Sequence, residues 1–300
     1  MEYRQLGQDG QEVSVLGLGA WPLGGGMGGV EEQTAIDTIH AAIDNGITLI
    51  DTAQGYRSSE ATLGRALKGG YRERCFLATK VSGDYSQQGI RSAIDHSLRA
   101  LEVEHVDLYQ IHSHDPRHPI AESMAALAEL QNEGKAQYLG VSNYDAEQMS
   151  EALETASFSS NQPRYNLFDR EIEAKDISFC EQHGIGILAH SPLAKGLLTG
   201  KYPPDHIFPE DDERSQMERF QGDTFVSYLE KAKALESLAQ DKGLSLTQLA
   251  LAWVLRLPAI TCVLVGAKSP NQVEEHLGAV GVKFSNDELT RIDAILLGSD

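Results

Sequence analysis

Residues 47–80, ITLIDTAQGYRSSEATLGRALKGGYRERCFLATK, contain two short apolar runs on either side of an amphipathic run. The apolar runs ITLID (47–51) and RCFLATK (74–80) have the length and composition of buried strands. The residues between them have the apolar spacing of a helix. Each apolar run ends in a charged residue, Asp51 in the first and Lys80 in the second. The stretch therefore predicts a strand, a helix and a second parallel strand, with a charge at the C-terminal end of each strand.

The same alternation extends over the rest of the chain. Strands are predicted at 13–19, 47–51, 74–80, 106–112, 136–143, 157–162, 184–190 and 260–266. Helices are predicted at 31–45, 58–68, 87–102, 119–132, from about 145, and at 172–183, 224–241, 246–256, 270–278 and 286–296. Residues 191–223 are rich in Pro, Gly and Asp and are predicted to form one long functional loop. No linker or change in composition divides the chain. The predicted fold class is α/β, a single (β/α)8 TIM barrel over residues 1–300 with an N-terminal β-hairpin and extra C-terminal helices.

Composition restricts the classes of partner. The 300 residues include 25 Lys and Arg against 44 Asp and Glu, a formal charge of −19. Nucleic acids and anionic membranes both require a positive face, so neither is expected as a partner. No apolar run reaches the roughly 18 residues of a membrane-spanning helix. Three widely spaced cysteines in apolar segments indicate buried thiols in a reducing compartment, and the expected location is the cytoplasm.

The predicted barrel brings the C-terminal ends of its strands together, which is where active sites of this fold lie. The polar or small residues at these ends are Asp51, Lys80, His112, Ser142, Asn143, Gln162, His190 and Gly266. Asp51 and Lys80 are expected to pair, and the Lys80 ammonium to lower the pKa of Tyr56 on the following loop. Tyr56 is then a candidate general acid, and His112 can orient a carbonyl oxygen. Since no activated Ser or Cys nucleophile is evident, a cofactor must supply the hydride.

Several segments carry a resemblance to a known family. DTAQGYRSSEATLGRAL (51–67) is similar to the aldo-keto reductase signature, and LYQIH (108–112), GVSNY (140–144), SPLAKGLLTGKY (191–202) and VGAKSPNQVEE (265–275) match further blocks in the right order. The resemblance implies a catalytic tetrad of Asp51, Tyr56, Lys80 and His112, with Tyr56 as proton donor. It also implies NADPH, preferred over NADH, bound extended across the C-terminal face of the barrel. The expected activity is reduction of an aldehyde or ketone to the alcohol.

The resemblance also implies cofactor contacts. Ser142, Asn143 and Gln162 match the side chains that hold the nicotinamide carboxamide, and Gly19, Ala20 and Trp21 line the pocket. The loop around the pyrophosphate supplies Ser191, Leu193, Lys195, Gly196 and Lys201, and the block around the adenosine and its 2′-phosphate supplies Arg214, Lys268, Gln272, Glu275 and His276. Asp51, His190, Pro192 and Gly266 complete the expected cofactor-binding set. Two positions depart from the family pattern: His190 stands where an aromatic Tyr or Trp commonly stacks beneath the nicotinamide, and His276 stands where an Asn is usual.

Three alternatives compete with this interpretation. The glycine-rich residues 24–29 satisfy G-x-G-x-x-G, but Trp21 and Pro22 separate them from the preceding strand, so a loop over the barrel mouth is favoured over a Rossmann dinucleotide site. His112 and His114 form an H-x-H pattern, although no other strand end offers matching ligands, and no metal is expected. A catalytically weak NADP(H)-binding sensor resembling the β subunits of potassium channels is the alternative function. The identity of the carbonyl substrate and the oligomeric state are left open.

Overall fold

The computed structural model describes residues 1–298 and contains one closed parallel barrel. An antiparallel hairpin comes first, formed by β1 (Tyr3–Gln5) and β2 (Glu12–Ser14). The barrel strands are β3 (Leu16–Gly19), β4 (Leu49–Asp51), β5 (Phe76–Val81), β6 (Val106–Ile111), β7 (Ala136–Ser142), β8 (Ser160–Gln162), β9 (Gly186–His190) and β10 (Ile260–Val265). β10 pairs in parallel with both β9 and β3, which closes the barrel. The predicted fold is confirmed, and the Rossmann alternative is wrong because a closed barrel replaces the open sheet.

Ten α-helices surround the barrel within the described part of the chain. They are α1 (Glu32–Asp44), α2 (Ser59–Ala66), α3 (Gln87–Leu101), α4 (Ile120–Asn132), α5 (Ala146–Thr155), α6 (Asp176–His183), α7 (Gly222–Asp241), α8 (Leu246–Leu255), α9 (Pro270–Leu277) and α10 (Asn286–Leu297). Reciprocal capping boxes start α5, α8 and α10, at Asp145, Ser245 and Ser285. None of these helices combines the length and the apolar character needed to cross a bilayer.

The N-terminal hairpin closes the lower end of the barrel. Leu6 and Val13 are fully buried and belong to the same apolar cluster as the inward-facing strand residues Leu49, Phe76 and Leu108. Strand side chains alternate between the two faces, so these residues fill the barrel interior while their neighbours pack against the helices. The interior is therefore solid at this end, and open space is confined to the C-terminal end, where the polar strand termini lie.

The segment 191–223, predicted as one long loop, contains three short 3₁₀ helices at Ala194–Thr199, Glu213–Gln216 and Glu218–Phe220. Two buried phenylalanines anchor it: the Phe208 and Phe220 rings pack edge to face with centroids 5.2 Å apart. The Arg214 guanidinium lies 4.5 Å from the centre of the Phe208 ring. This packing could not be predicted from the sequence, because the aromatic residues of the segment lack the spacing of a strand or helix.

Candidate active site

Strand pairing brings the polar residues predicted from the sequence to the C-terminal ends of neighbouring strands. Asp51 lies opposite both Gly19 and Ala78, and Lys80 lies opposite Gln110. The adjacent loops carry Tyr56 and enclose a cavity of about 780 Å³ at the C-terminal end of the strands. This volume falls within the roughly 300–1,000 Å³ range of small-molecule sites.

Asp51 and Lys80 form a buried ion pair at the base of the cavity. The Lys80 Nζ donates to Asp51 Oδ1 at 2.5 Å and to the carbonyl of Thr52 at 2.7 Å. The exposed fractions of the two residues are 2% for Asp51 and 0% for Lys80. Burial alone would lower the pKa of Lys80, but the Asp51 carboxylate and the nearby Tyr56 offset it, and the net pKa of Lys80 is raised. Lys80 therefore remains charged inside the barrel.

Two glutamines hold the second oxygen of the Asp51 carboxylate. Gln162 Nε2 donates to Asp51 Oδ2 at 2.9 Å and Gln110 Nε2 donates to the same atom at 3.2 Å. Gln162 Nε2 also donates to Gln110 Oε1 at 3.2 Å. With both its oxygens hydrogen-bonded, the buried carboxylate has a single orientation, which in turn fixes the position of Lys80.

The Tyr56 ring lies between Lys80, Trp21 and His112. The Lys80 Nζ is 4.9 Å from the centre of the Tyr56 ring, the Trp21 ring packs edge to face at 4.9 Å, and the His112 ring does so at 5.5 Å. Burial raises the pKa of Tyr56, and the opposing attraction of Lys80 is smaller, so the net pKa is raised. The expectation that Lys80 lowers the pKa below its ordinary value is therefore wrong in net direction, because desolvation of the phenolate dominates. Tyr56 carries its proton at neutral pH.

The His112 side chain is neutral and hydrogen-bonded at one nitrogen. Its Nδ1 lies 2.8 Å from the Ser82 Oγ. Burial lowers the pKa of His112 to about 3, with a further contribution from the positive charge of Lys80. The H-x-H partner His114 packs edge to face on Tyr144 with centroids 5.9 Å apart. Across residues 1–298, no group of three or more His, Cys, Asp or Glu side chains is arranged to hold a metal ion.

The predicted carboxamide contacts are only partly brought into the cavity. Gln162 lines it, whereas Ser142 and Asn143 do not. Ser142 is buried and donates to the Gln162 carbonyl at 2.8 Å. Asn143 donates to the His112 carbonyl at 3.2 Å, and its Oδ1 lies 2.9 Å from His190 Nε2. Both ends of the Asn143 amide are thus occupied by protein groups.

His190 replaces the usual stacking aromatic with a ring that is fixed at both nitrogens. Its Nδ1 lies 2.9 Å from Ser191 Oγ, and its Nε2 lies 2.9 Å from Asn143 Oδ1. Burial lowers the pKa of His190 to about 3, with the positive charge of Arg164 contributing next. The ring is therefore uncharged, so it offers a flat, neutral face to the cavity.

Of the three predicted residues at the end of β3 and just beyond it, Gly19 and Trp21 line the cavity and Ala20 does not. Ala20 is fully buried, and its N–H donates to the Asp51 carbonyl at 2.8 Å. A β-carbon on Gly26 would lie 2.2 Å from the Trp21 ring, so only glycine allows the segment to pass over the indole. The glycine-rich segment 24–29 therefore packs directly over the Trp21 ring.

The remaining predicted cofactor residues all line the cavity. They are Ser191, Pro192, Leu193, Lys195, Gly196, Lys201, Arg214, Gly266, Lys268, Gln272, Glu275 and His276. Arg214 is buried and forms an ion pair with Asp212 at 2.6 Å, and Lys195 pairs with Glu213 at 2.6 Å.

Three cations, Lys201, Arg214 and Lys268, lie near one another at one end of the cavity. Burial lowers the pKa of Lys268, and repulsion by Arg214 and Lys201 lowers it further. The Lys268 Nζ donates to the Met27 carbonyl rather than to a carboxylate. A bound phosphate would relieve the repulsion among these three cations. The donor set therefore fits the phosphate groups of a nicotinamide dinucleotide, and a cavity that joins this end to Tyr56 fits its extended form.

Sequence reasoning missed Ser82 and Gln110, which both contact predicted site residues. Ser82 lies two residues after Lys80, and Gln110 lies two residues before His112. Side chains two apart along a strand point to the same side, so this spacing was a usable signal. Glu213 was missed for another reason: it accepts from Trp21 Nε1 at 3.0 Å through a fold of the 191–223 segment that no local pattern predicts.

The lowered pKa values of three histidines, the half-buried His112 and His190 and the buried His276, predict that the fold is sensitive to acid. Burial is the main cause in each, lowering the pKa of His112 and His190 to about 3 and that of His276 to about 4. In the unfolded chain a histidine has a pKa of about 6.5, so below that pH the unfolded state binds more protons. The free energy of unfolding should therefore fall as the pH falls from about 6.5 towards 4, by about 1.4 kcal/mol per pH unit for each histidine.

Urea unfolding at a series of pH values measures this dependence. His276→Gln removes one of the three groups and is expected to reduce the slope over that interval by about 1.4 kcal/mol per pH unit. Replacement of His183, whose exposed ring contacts only its own helix and the adjacent Phe179, serves as the control and should leave the slope unchanged. Identical slopes for the parent protein and His276→Gln would contradict the prediction.

Comparisons with known proteins agree with this geometry. The chain matches the sequence model described as the Aldo/keto reductase family over residues 15–297. It is 38% identical to the aldo-keto reductase YhdN of Bacillus subtilis (strain 168), with 99% of this chain and 94% of that protein covered. It is 33% identical to the NADH-specific methylglyoxal reductase of Escherichia coli (strain K12), with 95% of each covered.

Structural comparison gives the same result. The glycerol dehydrogenase AKR11B4 from Gluconobacter oxydans has a solved structure that matches this one with a TM-score of 0.88 and 38% sequence identity. The match covers 99% of this chain and 95% of that chain. With the family match extending over nearly all of the barrel, the chain belongs to the aldo/keto reductase family, whose members are nicotinamide-dependent oxidoreductases acting on carbonyl compounds.

Proposed function

We propose that the protein reduces an aldehyde or ketone to the alcohol with NADPH in preference to NADH, and that Tyr56 donates the proton. The observation that carries the proposal is the grouping of Tyr56 with the buried Asp51–Lys80 pair and His112 in one cavity. A proton donor, a fixed positive charge and a neutral imidazole beside a single space are the groups that carbonyl reduction requires.

Each of the four residues has a distinct part in the proposed reaction. The nicotinamide cofactor, when bound, supplies the hydride. Tyr56 is protonated at neutral pH and gives its proton to the carbonyl oxygen as negative charge develops there. Lys80 stabilises the resulting phenolate, and Asp51 holds Lys80 in place. His112 orients the carbonyl oxygen by hydrogen bonding.

The other cavity residues divide between the two ends of the proposed cofactor. Gln162 and His190 would hold the nicotinamide end, with Gly19 and Trp21 beside it. Lys195, Lys201, Arg214 and Lys268 would hold the phosphates. For Ser142 and Asn143 we propose an indirect role, since their hydrogen bonds to Gln162, His112 and His190 position groups that do line the cavity.

An assay of NADPH and NADH oxidation with a panel of small aldehydes and ketones tests this function. Oxidation that depends on the carbonyl compound supports it. A binding protein without turnover, as in the potassium-channel alternative, is not favoured, because the compared relatives are named as reductases and a dehydrogenase. Tight NADP(H) binding with no turnover of any carbonyl compound would nevertheless reverse this conclusion.

The preference for NADPH rests on Lys268 and is a prediction of its own. Replacing Lys268 with Met should weaken NADPH binding by about tenfold and NADH binding much less, because only NADPH carries the 2′-phosphate and loss of one charged hydrogen bond costs roughly 1.5 kcal/mol or more. Fluorescence titration with both cofactors measures the difference. Lys68→Met, at an exposed lysine paired with Glu102, is the matched control.

Equal losses for the two cofactors would remove Lys268 from the 2′-phosphate site. The comparison is needed, since one relative of this chain is named as NADH-specific. A parent protein that binds NADH more tightly than NADPH would contradict the proposed preference directly, whatever the effect of the substitution.

We also propose a cytoplasmic location and one domain over residues 1–300. The location is supported by three cysteines, Cys75, Cys180 and Cys262, that are buried and free. Burial raises the pKa of Cys75 and of Cys180 to about 12, so neither thiol is activated for redox chemistry. Such cysteines are typical of a reducing compartment.

A further inference from the structure

Ser82 makes a direct contact with the imidazole proposed to orient the substrate. It follows β5 immediately, and its Oγ lies 2.8 Å from Nδ1 of His112. Its backbone N–H donates to Gln54 Oε1 at 3.3 Å, which fixes the residue against the loop after β4. The hydroxyl itself contacts no other hydrogen-bonding group of the described chain, so its one strong partner is the histidine ring.

Gly55 provides the space that Ser82 occupies. A β-carbon on Gly55 would lie 3.0 Å from Ser82 Oγ and 3.2 Å from Ser82 Cβ. Both distances are shorter than ordinary van der Waals contact, so a larger residue there would require the Ser82 side chain to shift by a few tenths of an ångström. Gly55 immediately precedes Tyr56, so the loop that carries the proposed proton donor also packs against Ser82.

The second ring nitrogen of His112 is free to face a ligand. Within residues 1–298 no hydrogen-bond partner lies on His112 Nε2, and the residue lines the cavity. The nearby Lys80 ammonium directs its hydrogen bonds to Asp51 and Thr52. A neutral imidazole carries its proton on only one nitrogen, so Nε2 donates when Nδ1 accepts. A serine hydroxyl can donate or accept, but Ser82 Oγ has no other acceptor among residues 1–298, so its own proton is satisfied within the protein only by donation to Nδ1.

We propose that Ser82 is a positioning residue, whose hydroxyl donates to Nδ1 of His112 and thereby holds the proton on Nε2. This inference rests on the proposed carbonyl reduction, in which Nε2–H must donate to the substrate oxygen. With the opposite arrangement, Nδ1–H would donate to Ser82, and the Nε2 lone pair would face the developing negative charge. With Ser82 as the donor, the N–H of Nε2 and not a lone pair faces the carbonyl group.

The tautomer can be observed without any turnover, by ¹H–¹⁵N correlation spectroscopy of the cofactor-free protein labelled at histidine. The His112 signals are assigned by comparison with His112→Gln. We expect a protonated Nε2 and an unprotonated Nδ1 that accepts a hydrogen bond. In Ser82→Ala the Nδ1 signal should move towards that of a nitrogen without a hydrogen bond. In Ser82→Thr, which keeps the hydroxyl, it should remain near its parental position.

Ser113→Ala is the matched control for the spectrum. Ser113 lines the same cavity, but its hydroxyl contacts the Tyr85 hydroxyl at 3.2 Å and not His112. The His112 signals should be unchanged in that variant. A proton on Nδ1 in the parent protein, or an unmoved Nδ1 signal in Ser82→Ala, would overturn the inference even if the protein reduces carbonyl compounds well.

Kinetics then separate a positioning role from a merely structural one. Ser82→Ala should lower kcat by about tenfold with little change in cofactor affinity, because loss of about 1.4 kcal/mol of transition-state stabilisation is a tenfold change in rate. An unchanged kcat would overturn the inference. If the parent protein shows no turnover, the proposed function fails, whereas the spectrum still reports whether Ser82 sets the tautomer.

Discussion

Replacing Tyr56 with Phe is expected to lower the rate of carbonyl reduction by about 10² to 10⁴-fold, the range typical of a lost general acid. The substitution removes one hydroxyl and keeps the ring that packs on Trp21 and His112. Cofactor affinity should therefore change little. Steady-state kinetics with the best carbonyl substrate, together with a cofactor titration of the same preparation, measure both quantities.

The control for this prediction is Tyr71→Phe. Tyr71 stacks on His40 with ring centroids 3.9 Å apart, and neither residue lines the cavity. Its loss of a hydroxyl should not affect the reaction. If Tyr56→Phe keeps the parental rate, Tyr56 is not the proton donor and another group in the cavity must take that part.

Replacing Asp51 with Asn is expected to lower the free energy of unfolding by about 3–5 kcal/mol, because it leaves the fully buried Lys80 ammonium without its carboxylate. The amide also disturbs Gln110 and Gln162, which both donate to the oxygen it would replace. Catalytic activity should fall as well, since Lys80 loses the group that holds it beside Tyr56. Urea unfolding near neutral pH measures the change in stability.

An ion pair nearer the surface provides the comparison. Glu288→Gln breaks the pair with Lys242, a 2.6 Å contact whose side chains are about one-fifth exposed. Its effect should be about 1 kcal/mol or less. If Asp51→Asn costs no more than Glu288→Gln, then Lys80 is not charged in the folded protein, and the proposed stabilisation of the Tyr56 phenolate fails with it.

The barrel and the grouping of Asp51, Lys80 and His112 could be predicted because they depend on local patterns. A strand run ending in a polar residue indicates both the strand and which end faces the site, and the closure of parallel strands brings those ends together. For Tyr56, its place on the loop after β4 was enough to predict that it lies near Lys80, but not that the Trp21 ring packs against it.

Features that depend on opposing effects within the folded structure, or on contacts between distant residues, could not be predicted. The net pKa of Tyr56 is set by burial against the charge of Lys80, and sequence reveals the charge but not the degree of burial. The occupation of both ends of the Asn143 amide depends on its distances to His112 and His190, which lie on other strands or loops. The folding of residues 191–223 around Phe208 likewise depends on contacts between distant residues.

Leu6 and Val13 fill one end of the barrel, and this affects which parts of the molecule can be altered. The scaffold is therefore held together at the end opposite the reacting groups. Loops at the open end can then be lengthened, shortened or exchanged without disturbing the residues that close the other end. Substrate preference is accordingly the property most open to redesign, and the mouth loops, such as the segment bearing Met27, are the natural place to begin.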